Sequence, residues 1–153
     1  MAVRKIFKLG QDDKILRSKC KKVEAFDERL GKLLDDLKET LADIGGLGLA
    51  APQIGVLRRA VVVEYREKII ELVNPEFTFL GKETCVDNEG CLSVVGYRGL
   101  VRRPCEMTVK FFDRHGKPQE ISASGYDARV FMHEIDHLDG ILFVDKMIKK
   151  LKD

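Results

Sequence analysis

One stretch decides how this chain is built: Tyr126–Leu138, with the sequence YDARVFMHEIDHL. One side of it is apolar at helical spacing, through Ala128, Phe131, Ile135 and Leu138. Val130 and Tyr126 add apolar surface on another side, and a helix that is apolar on more than one side is usually buried. We therefore predict a central, buried helix over this stretch.

The same helix carries a pair of histidines, His133 and His137, separated by four positions. At 100° per residue the two imidazoles project within about 40° of each other, so both can reach one metal ion. Glu134 lies beside them, and this HExxH arrangement is typical of metal sites with a glutamate general base. The chain has only 3 His, so a chance surface pair is the weaker interpretation.

A catalytic metal site of this kind needs a third protein ligand and an open position. Downstream of His137 the extended HExxHxxGxxH pattern fails, because Phe143 stands where its third histidine would be. The third ligand is therefore expected upstream. Thiolates bind such ions well, and Cys91 within EGCLS is the best candidate, with Cys85 and Cys105 as open alternatives.

A second helix, amphipathic and near the N-terminus, is predicted over Asp27–Ile44. Its apolar residues recur every three or four positions: Leu30, Leu33, Leu34, Leu37, Leu41 and Ile44. Asp27 is a suitable N-cap. The following Gly45-Gly46 tolerates positive φ and ends the helix.

Between the two helices, short runs of β-branched and aromatic residues predict strands. They are Val61–Val63, Lys68–Val73, Phe77–Phe79, Thr108–Phe112 and Glu120–Ala123. The Asn-Pro and Leu-Gly pairs between them are expected to be breaks. The order of elements favours an α+β fold, with mixed or antiparallel sheets packed around the C-terminal HExxH helix. A length of 153 residues fits a single domain over 1–153.

Composition excludes several classes of protein. With 44% hydrophobic residues and a formal net charge of +2, the chain is neither disordered nor basic enough to suggest nucleic-acid binding. It has no apolar run near the roughly 20 residues of a membrane span and no secretory signal pattern. We therefore expect a cytoplasmic protein. Its 4 Cys form no CxxC pair and are expected to be free thiols rather than a disulfide framework.

Three motifs in order resemble the peptide deformylase family. They are GLGLAAPQIG at 46–55, EGCLS at 89–93 and HEIDH at 133–137. Each motif alone is modest, but the ordered set is highly specific, and the resemblance runs from about Ile6 to Met147. It implies an enzyme that removes the formyl group from N-formylmethionine at the start of new polypeptides and releases formate.

The resemblance also implies roles for individual residues. The metal ligands would be Cys91, His133 and His137, with Glu134 as the catalytic acid and base. The Gln53 side-chain amide and the backbone N–H of Leu92 would stabilise the oxyanion. Substrate-binding residues would be Gly46, Leu47, Gly48, Glu89, Gly90 and Arg98. The segment 46–48 would pair with the peptide like an added strand, while Tyr97 and Val130 would line the methionine pocket.

The cofactor implied is one divalent ion, with Fe²⁺ expected and Zn²⁺, Ni²⁺ or Co²⁺ able to substitute. The expected partners are N-formylmethionyl nascent peptides, bound by a monomer. The chain lacks the longer C-terminal helix with which some family members dock on the ribosome, so only weak ribosome proximity is expected.

Two rival functions remain at this stage. A small HExxH zinc endopeptidase would use the same motif but needs a Glu or His as third ligand, which the sequence does not offer. A structural Cys-His-His metal domain would close its site with a fourth ligand, such as His115, Cys85 or Cys105. A structural site, however, has no use for Glu134.

Overall fold

Two antiparallel sheets and three α-helices make up residues 2–152, the part of the chain that the computed structural model describes. The helices are α1 (Asp13–Leu16), α2 (Glu28–Ile44) and α3 (Gly125–His137). The strands are β1 (Gly48–Ala50), β2 (Ala60–Tyr65), β3 (Lys68–Leu80), β4 (Thr84–Cys91), β5 (Val94–Pro104), β6 (Glu106–Phe112), β7 (Pro118–Ser124) and β8 (Met147–Lys152). The five-stranded sheet has the order β1-β2-β3-β6-β7, and the three-stranded sheet has the order β4-β5-β8. The predicted α+β class is thus confirmed. None of the helices in 2–152 has the length and apolar character that a membrane crossing requires.

Helix α3 lies between the two sheets, because it contacts β1, β2, β6 and β7 of the first and β5 of the second. Its apolar side chains, including the fully buried Phe131 and Leu138, join a core with Val61, Val63 and Leu72. Packing on both sides explains why this helix is buried around most of its circumference, with polar as well as apolar side chains inside. It also fixes the histidines of its last turns deep inside the molecule.

Helix α2 covers the other face of β1 and β2. Leu30, Leu34 and Leu37 are fully buried in a second core that includes Val62 of β2. The Asp27 carboxylate accepts a hydrogen bond from the Leu30 backbone N–H at 3.1 Å, which satisfies one free donor at the helix start. The chain that leaves α2 runs directly into β1, one wall of the site described below.

The expected break at Asn74-Pro75 is wrong, because β3 continues through it as one strand with a shift in register. Asn74 takes up positive φ (51°) and its side chain bonds both the N–H and the C=O of Val23, each at 2.9 Å. Those two hydrogen bonds replace the strand pairing that is lost at the irregularity. The break expected at Leu80-Gly81 is confirmed, since β3 ends at Leu80.

Four strands, β1, β4, β5 and β8, were not expected from the sequence. Strand β4 is an edge strand whose first four residues are exposed, so its sequence carries little apolar alternation. Strand β8 includes the lysine-rich segment near the C-terminus and pairs with β5. Both strands are stabilised by pairing with β5 more than by burial of their own side chains.

The cysteines also depart from expectation, because Cys85 and Cys105 form a disulfide. Their sulfurs are bonded across the end of the β4–β5 hairpin, where Cys85 pairs with Arg103. No CxxC spacing signals this bond, since the two residues are 20 positions apart and meet only through the hairpin. The disulfide removes both residues as candidate metal ligands and leaves Cys20 and Cys91 as free cysteines.

Candidate active site

Cys91, His133 and His137 converge at one point between β4 and α3. Their ligand atoms all lie within 4.8 Å of one another, and Cys91 Sγ is 3.4 Å from His137 Nε2. Both histidines are buried. One thiolate and two imidazoles suit a divalent transition ion such as zinc, nickel, cobalt or ferrous iron. The exposed His115 lies in the β6–β7 turn and is not part of this group.

The two histidines differ in how their surroundings affect protonation. Burial lowers the pKa of His137 well below its usual value and favours the neutral ring, which is the form that binds metals. At His133 burial acts in the same direction, but hydrogen bonding to Cys91 and the charge of Glu134 outweigh it and raise the pKa. A metal ion that binds to His133 therefore competes with a proton for the imidazole ring.

Glu134 lies next to the ligand group and is only 6% exposed. Its Oε2 is 4.0 Å from His133 Nε2, and its Oε1 has no hydrogen-bond partner among the described residues. Burial raises the pKa of Glu134 to about 7, so the carboxyl can both accept and donate a proton near neutrality. Gly48 makes room for it, since a Cβ there would lie 2.6 Å from Glu134 Cγ.

Glu89, expected to bind substrate, borders the pocket, and its carboxylate makes hydrogen bonds with His133 and two arginines. Oε1 lies 2.8 Å from His133 Nδ1, and Oε2 accepts hydrogen bonds from Arg103 Nε at 2.6 Å and Arg129 Nη1 at 2.7 Å. Burial opposes its ionisation, but the hydrogen bonds from His133 and Arg103 hold the pKa of Glu89 far below its usual value. A permanently charged Glu89 fixes the orientation of the imidazole.

Sequence reasoning missed the part that Arg103 and Arg129 take in this network. Arg103 is buried and also donates to Asp136 Oδ2 at 2.9 Å. Arg129 is equally buried and donates to Glu89 from within α3. An arginine placed among buried helix positions was the available signal, since such a charge is rarely buried without a carboxylate partner.

Gln53 is fixed by hydrogen bonds beside the Cys91 sulfur. Its Oε1 accepts the Ala50 N–H at 2.9 Å, while its Nε2 donates to Ser93 Oγ at 3.1 Å and lies 3.5 Å from Cys91 Sγ. The side chain is 1% exposed. Leu92 follows Cys91 in the turn between β4 and β5 and borders the same cavity. Two candidate oxyanion donors thus lie beside the ligand group.

A pocket opens over these groups, and most of the residues expected at the site line it. They include Gly46, Leu47, Gly48, Gln53, Glu89, Gly90, Cys91, Leu92, Tyr97, Arg98, Val130, His133 and Glu134, together with the unexpected Tyr126 and Arg129. His137 lies beneath the pocket and is fully buried. One wall is β1, an edge strand that pairs only with β2 among the described strands.

Two of the lining residues are oriented by Asn88. Arg98 Nε donates to Asn88 Oδ1 at 2.6 Å, and the Tyr126 hydroxyl donates to the Asn88 carbonyl at 2.8 Å. Gly90 permits this arrangement, since a Cβ there would lie 2.4 Å from Arg98 Nη1. The Arg98 side chain thereby lines the pocket beside Gly90.

An α+β fold with a Cys-His-His group and a buried glutamate beside it defines a metallohydrolase. The family model of polypeptide deformylases matches residues 3–153. The peptide deformylase of Caldicellulosiruptor bescii is 54% identical over 149 residues, which are 97% of this chain and 88% of that protein. The crystal structure of peptide deformylase from Thermotoga maritima has a TM-score of 0.92 at 37% identity, over 96% of this chain and 99% of that one. The chain belongs to the polypeptide deformylase family.

Membership settles the class of reaction. The family consists of metallohydrolases that use a single divalent ion and remove the N-formyl group from nascent peptides, and this chain is such an enzyme. The comparisons give no support to the alternative of a small zinc endopeptidase. Another solved relative, described as a Met-Ala-Ser bound class I type b peptide deformylase from Acinetobacter baumannii, is 34% identical with a TM-score of 0.89, over 95% of this chain and 100% of that one.

Proposed function

We propose that this chain deformylates N-formylmethionyl peptides with Cys91, His133 and His137 as metal ligands and Glu134 as the acid and base. The observation that carries the proposal is the buried Glu134 carboxyl, whose Oε1 is without a partner beside the ligand group. When bound, the divalent ion supplies an activated water and polarises the formyl carbonyl. The chain's own residues then move protons and stabilise charge.

Glu134 takes a proton from the attacking water at Oε1 and later delivers it to the leaving amine nitrogen of methionine. A pKa of about 7 suits both steps, because it balances the strength of the base against that of the acid. The oxyanion that develops on the formyl oxygen accepts hydrogen bonds from Gln53 Nε2 and the Leu92 N–H. Because Gln53 is fixed by Ala50 and Ser93, its donor is in place before the reaction begins.

The peptide substrate binds as an added strand along 46–48. Strand β1 offers unpaired backbone groups at the pocket wall, and peptide addition to a free sheet edge is a common recognition mode. The methionine side chain enters between Tyr97 and Val130, and Arg98 contacts the peptide backbone beyond it. A relative described as Met-Ala-Ser bound supports a peptide that begins with methionine.

The native ion is proposed to be Fe²⁺, with Zn²⁺, Ni²⁺ or Co²⁺ able to occupy the same ligands. A ferrous site with a thiolate ligand is sensitive to oxygen, because both the metal and Cys91 can be oxidised. We propose further that residues 1–153 act as one catalytic domain, as a monomer in the cytoplasm, with weak ribosome proximity at most.

The direct test is to incubate the enzyme anaerobically with formyl-Met-Ala-Ser. The metal content of the same enzyme sample is measured. Equal amounts of formate and free Met-Ala-Ser are expected. Unformylated Met-Ala-Ser and a longer unformylated peptide serve as controls and should remain intact. Internal cleavage of either control, or no formate from folded enzyme with one ion per chain, would overturn the proposal.

A further inference from the structure

We propose that the Cys85–Cys105 disulfide is a reversible thiol switch whose state controls how firmly the active site holds its metal. The disulfide would be a modification site outside the pocket. This proposal rests on the proposed metal site and on the proposed cytoplasmic location.

Both half-cystines hold the beginning of α3, the helix that carries His133 and His137. The Cys105 carbonyl accepts the Gly125 N–H at 2.8 Å, and Gly125 is the first residue of that helix. The Cys85 carbonyl accepts a hydrogen bond from Arg129 Nη2 at 2.9 Å, one turn further along. The disulfide therefore links the two residues whose carbonyl groups accept hydrogen bonds from the start of α3.

From Arg129 the contacts lead directly to a ligand. Its Nη1 donates to Glu89 Oε2 at 2.7 Å, and Glu89 Oε1 lies 2.8 Å from His133 Nδ1. Three hydrogen bonds thus connect the Cys85 backbone to His133. Groups that orient a metal-binding histidine in this way commonly change metal affinity when they are disturbed.

The bond is also accessible. Cys85 is exposed on the edge strand β4, and Cys105 borders a shallow surface cleft with Lys82 and Glu106. Access is a requirement for thiol–disulfide exchange. Cys20 differs, because it is buried and burial raises the pKa of its thiol to about 12.

The cellular location makes a permanent bond unexpected. Disulfides in the cytoplasm are mostly transient, catalytic or redox-sensing, apart from those of hyperthermophiles. An open disulfide at the surface of a cytoplasmic enzyme therefore fits a bond that forms and breaks. A deformylase with a thiolate ligand has a use for such a response, because Cys91 is itself vulnerable to oxidation.

The exchange needs a dithiol reductant, which supplies two electrons and two protons. Its first thiolate attacks Cys105 Sγ, the S–S bond breaks, and Cys85 leaves as a thiolate that takes up a proton. The second thiol of the reductant then attacks the mixed disulfide and releases Cys105 as a protonated thiol, while the reductant departs as a disulfide. Reduction removes the covalent link between β4 and the β5–β6 junction and leaves the backbone pairing of β4 with β5. The Cys85 carbonyl that accepts from Arg129 is then held less firmly.

The test uses the metal-loaded enzyme, equilibrated anaerobically with oxidised or reduced dithiothreitol. The state of each cysteine is read by alkylation and fragment mass spectrometry, and metal release is followed with a chromogenic chelator. We expect the reduced enzyme to release its metal about three- to tenfold faster than the oxidised enzyme. The effect should be smaller than that of losing a direct partner of a metal ligand, because Glu89 still contacts His133. This readout is independent of the reaction catalysed, so failure of the switch and failure of the proposed deformylation are separate results.

The matched variants are the double substitution Cys85→Ser/Cys105→Ser and the single control Cys20→Ser. The double variant should release metal at the rate of the reduced enzyme in both buffers, whereas Cys20→Ser should retain the full response. Equal release rates for oxidised and reduced wild-type enzyme would overturn the proposal and leave the disulfide as a brace only. A Cys85–Cys105 pair that stays bonded in excess reduced dithiothreitol would also overturn it.

Discussion

Glu89 Oε1 lies 2.8 Å from His133 Nδ1, while Arg103 and Arg129 both donate to the opposite oxygen, Oε2. The carboxylate therefore connects two buried cations to an imidazole whose other nitrogen faces Cys91 and the pocket. This relationship sets the ring orientation before any ion binds. It also joins the metal site to the β4–β5 hairpin and to α3, so mutations outside the pocket can reach the site.

We expect Glu89→Gln to weaken metal binding by about 10- to 100-fold, because an amide cannot match the carboxylate as partner of both His133 and the two arginines. Competition with a chelator of known affinity measures the change. Glu83→Gln is the matched control, since Glu83 is exposed and should leave the affinity unaltered. An unchanged affinity in Glu89→Gln would show that the carboxylate does not position the ligand.

Gln53→Ala should lower kcat at least tenfold with metal content unchanged, because loss of one preorganised oxyanion donor costs about 2.7–4 kcal/mol of transition-state stabilisation. Steady-state formate release with elemental analysis of the same sample measures both quantities. Gln119→Ala, at an exposed position of β7, is the control for an amide lost elsewhere. If kcat stays within twofold of wild type, Gln53 has no part in the mechanism.

Gly48→Ala should reduce kcat/KM strongly, since the new methyl group would lie 2.6 Å from Glu134 Cγ and displace the carboxyl. Gly31→Ala is the comparison, because a Cβ at that helical position meets only Arg114 Nη1 at an ordinary 3.6 Å. The control should stabilise α2 by about 0.5–1 kcal/mol and leave activity intact. Full activity in Gly48→Ala would mean that Glu134 need not occupy its observed position.

Stability below neutral pH should depend on Glu71, which receives hydrogen bonds from Arg114 at 2.9 and 2.5 Å. Burial opposes its ionisation, but the Arg114 hydrogen bonds outweigh it and lower the pKa of Glu71. Its stabilising contribution is therefore present above the unfolded-state pKa and is lost as pH falls through the folded-state pKa. Glu71→Gln should cost about 1–2 kcal/mol at pH 7 and flatten the acid side of the denaturation profile. An equal loss at pH 7 and pH 3 would contradict this account.

The sequence predicted the parts of the fold that depend on local periodicity, and missed those that depend on pairing. The helical spacing of His133 and His137 alone brings them together, so a candidate metal site could be predicted from the sequence. Strand β4 has mostly exposed side chains and exists because β5 and β8 form a sheet with it, which no local pattern reports. The Cys85–Cys105 bond was missed for the same reason.

The site shows the same division. The candidate ligands Cys91, His133 and His137, together with Gly48 and Gln53, could be named from motifs, and the structure brings them to one pocket. Glu89 was expected near the substrate channel from its motif, but its hydrogen bonds with Arg103 and Arg129 were not expected. Glu89, Arg103 and Arg129 belong to β4, β5 and α3, and they come into contact only when these three elements pack together.

The most direct test of the central claim is formate release by Glu134→Gln, measured anaerobically beside the wild-type enzyme with the metal content of both determined. Glutamine fills the same space but cannot carry a proton from water to the leaving amine. We predict a fall in kcat of at least about 100-fold, in the range of general acid–base catalysis, with one ion per chain retained. Formate release near the wild-type rate by the metal-loaded variant would contradict the assignment of Glu134 as acid and base.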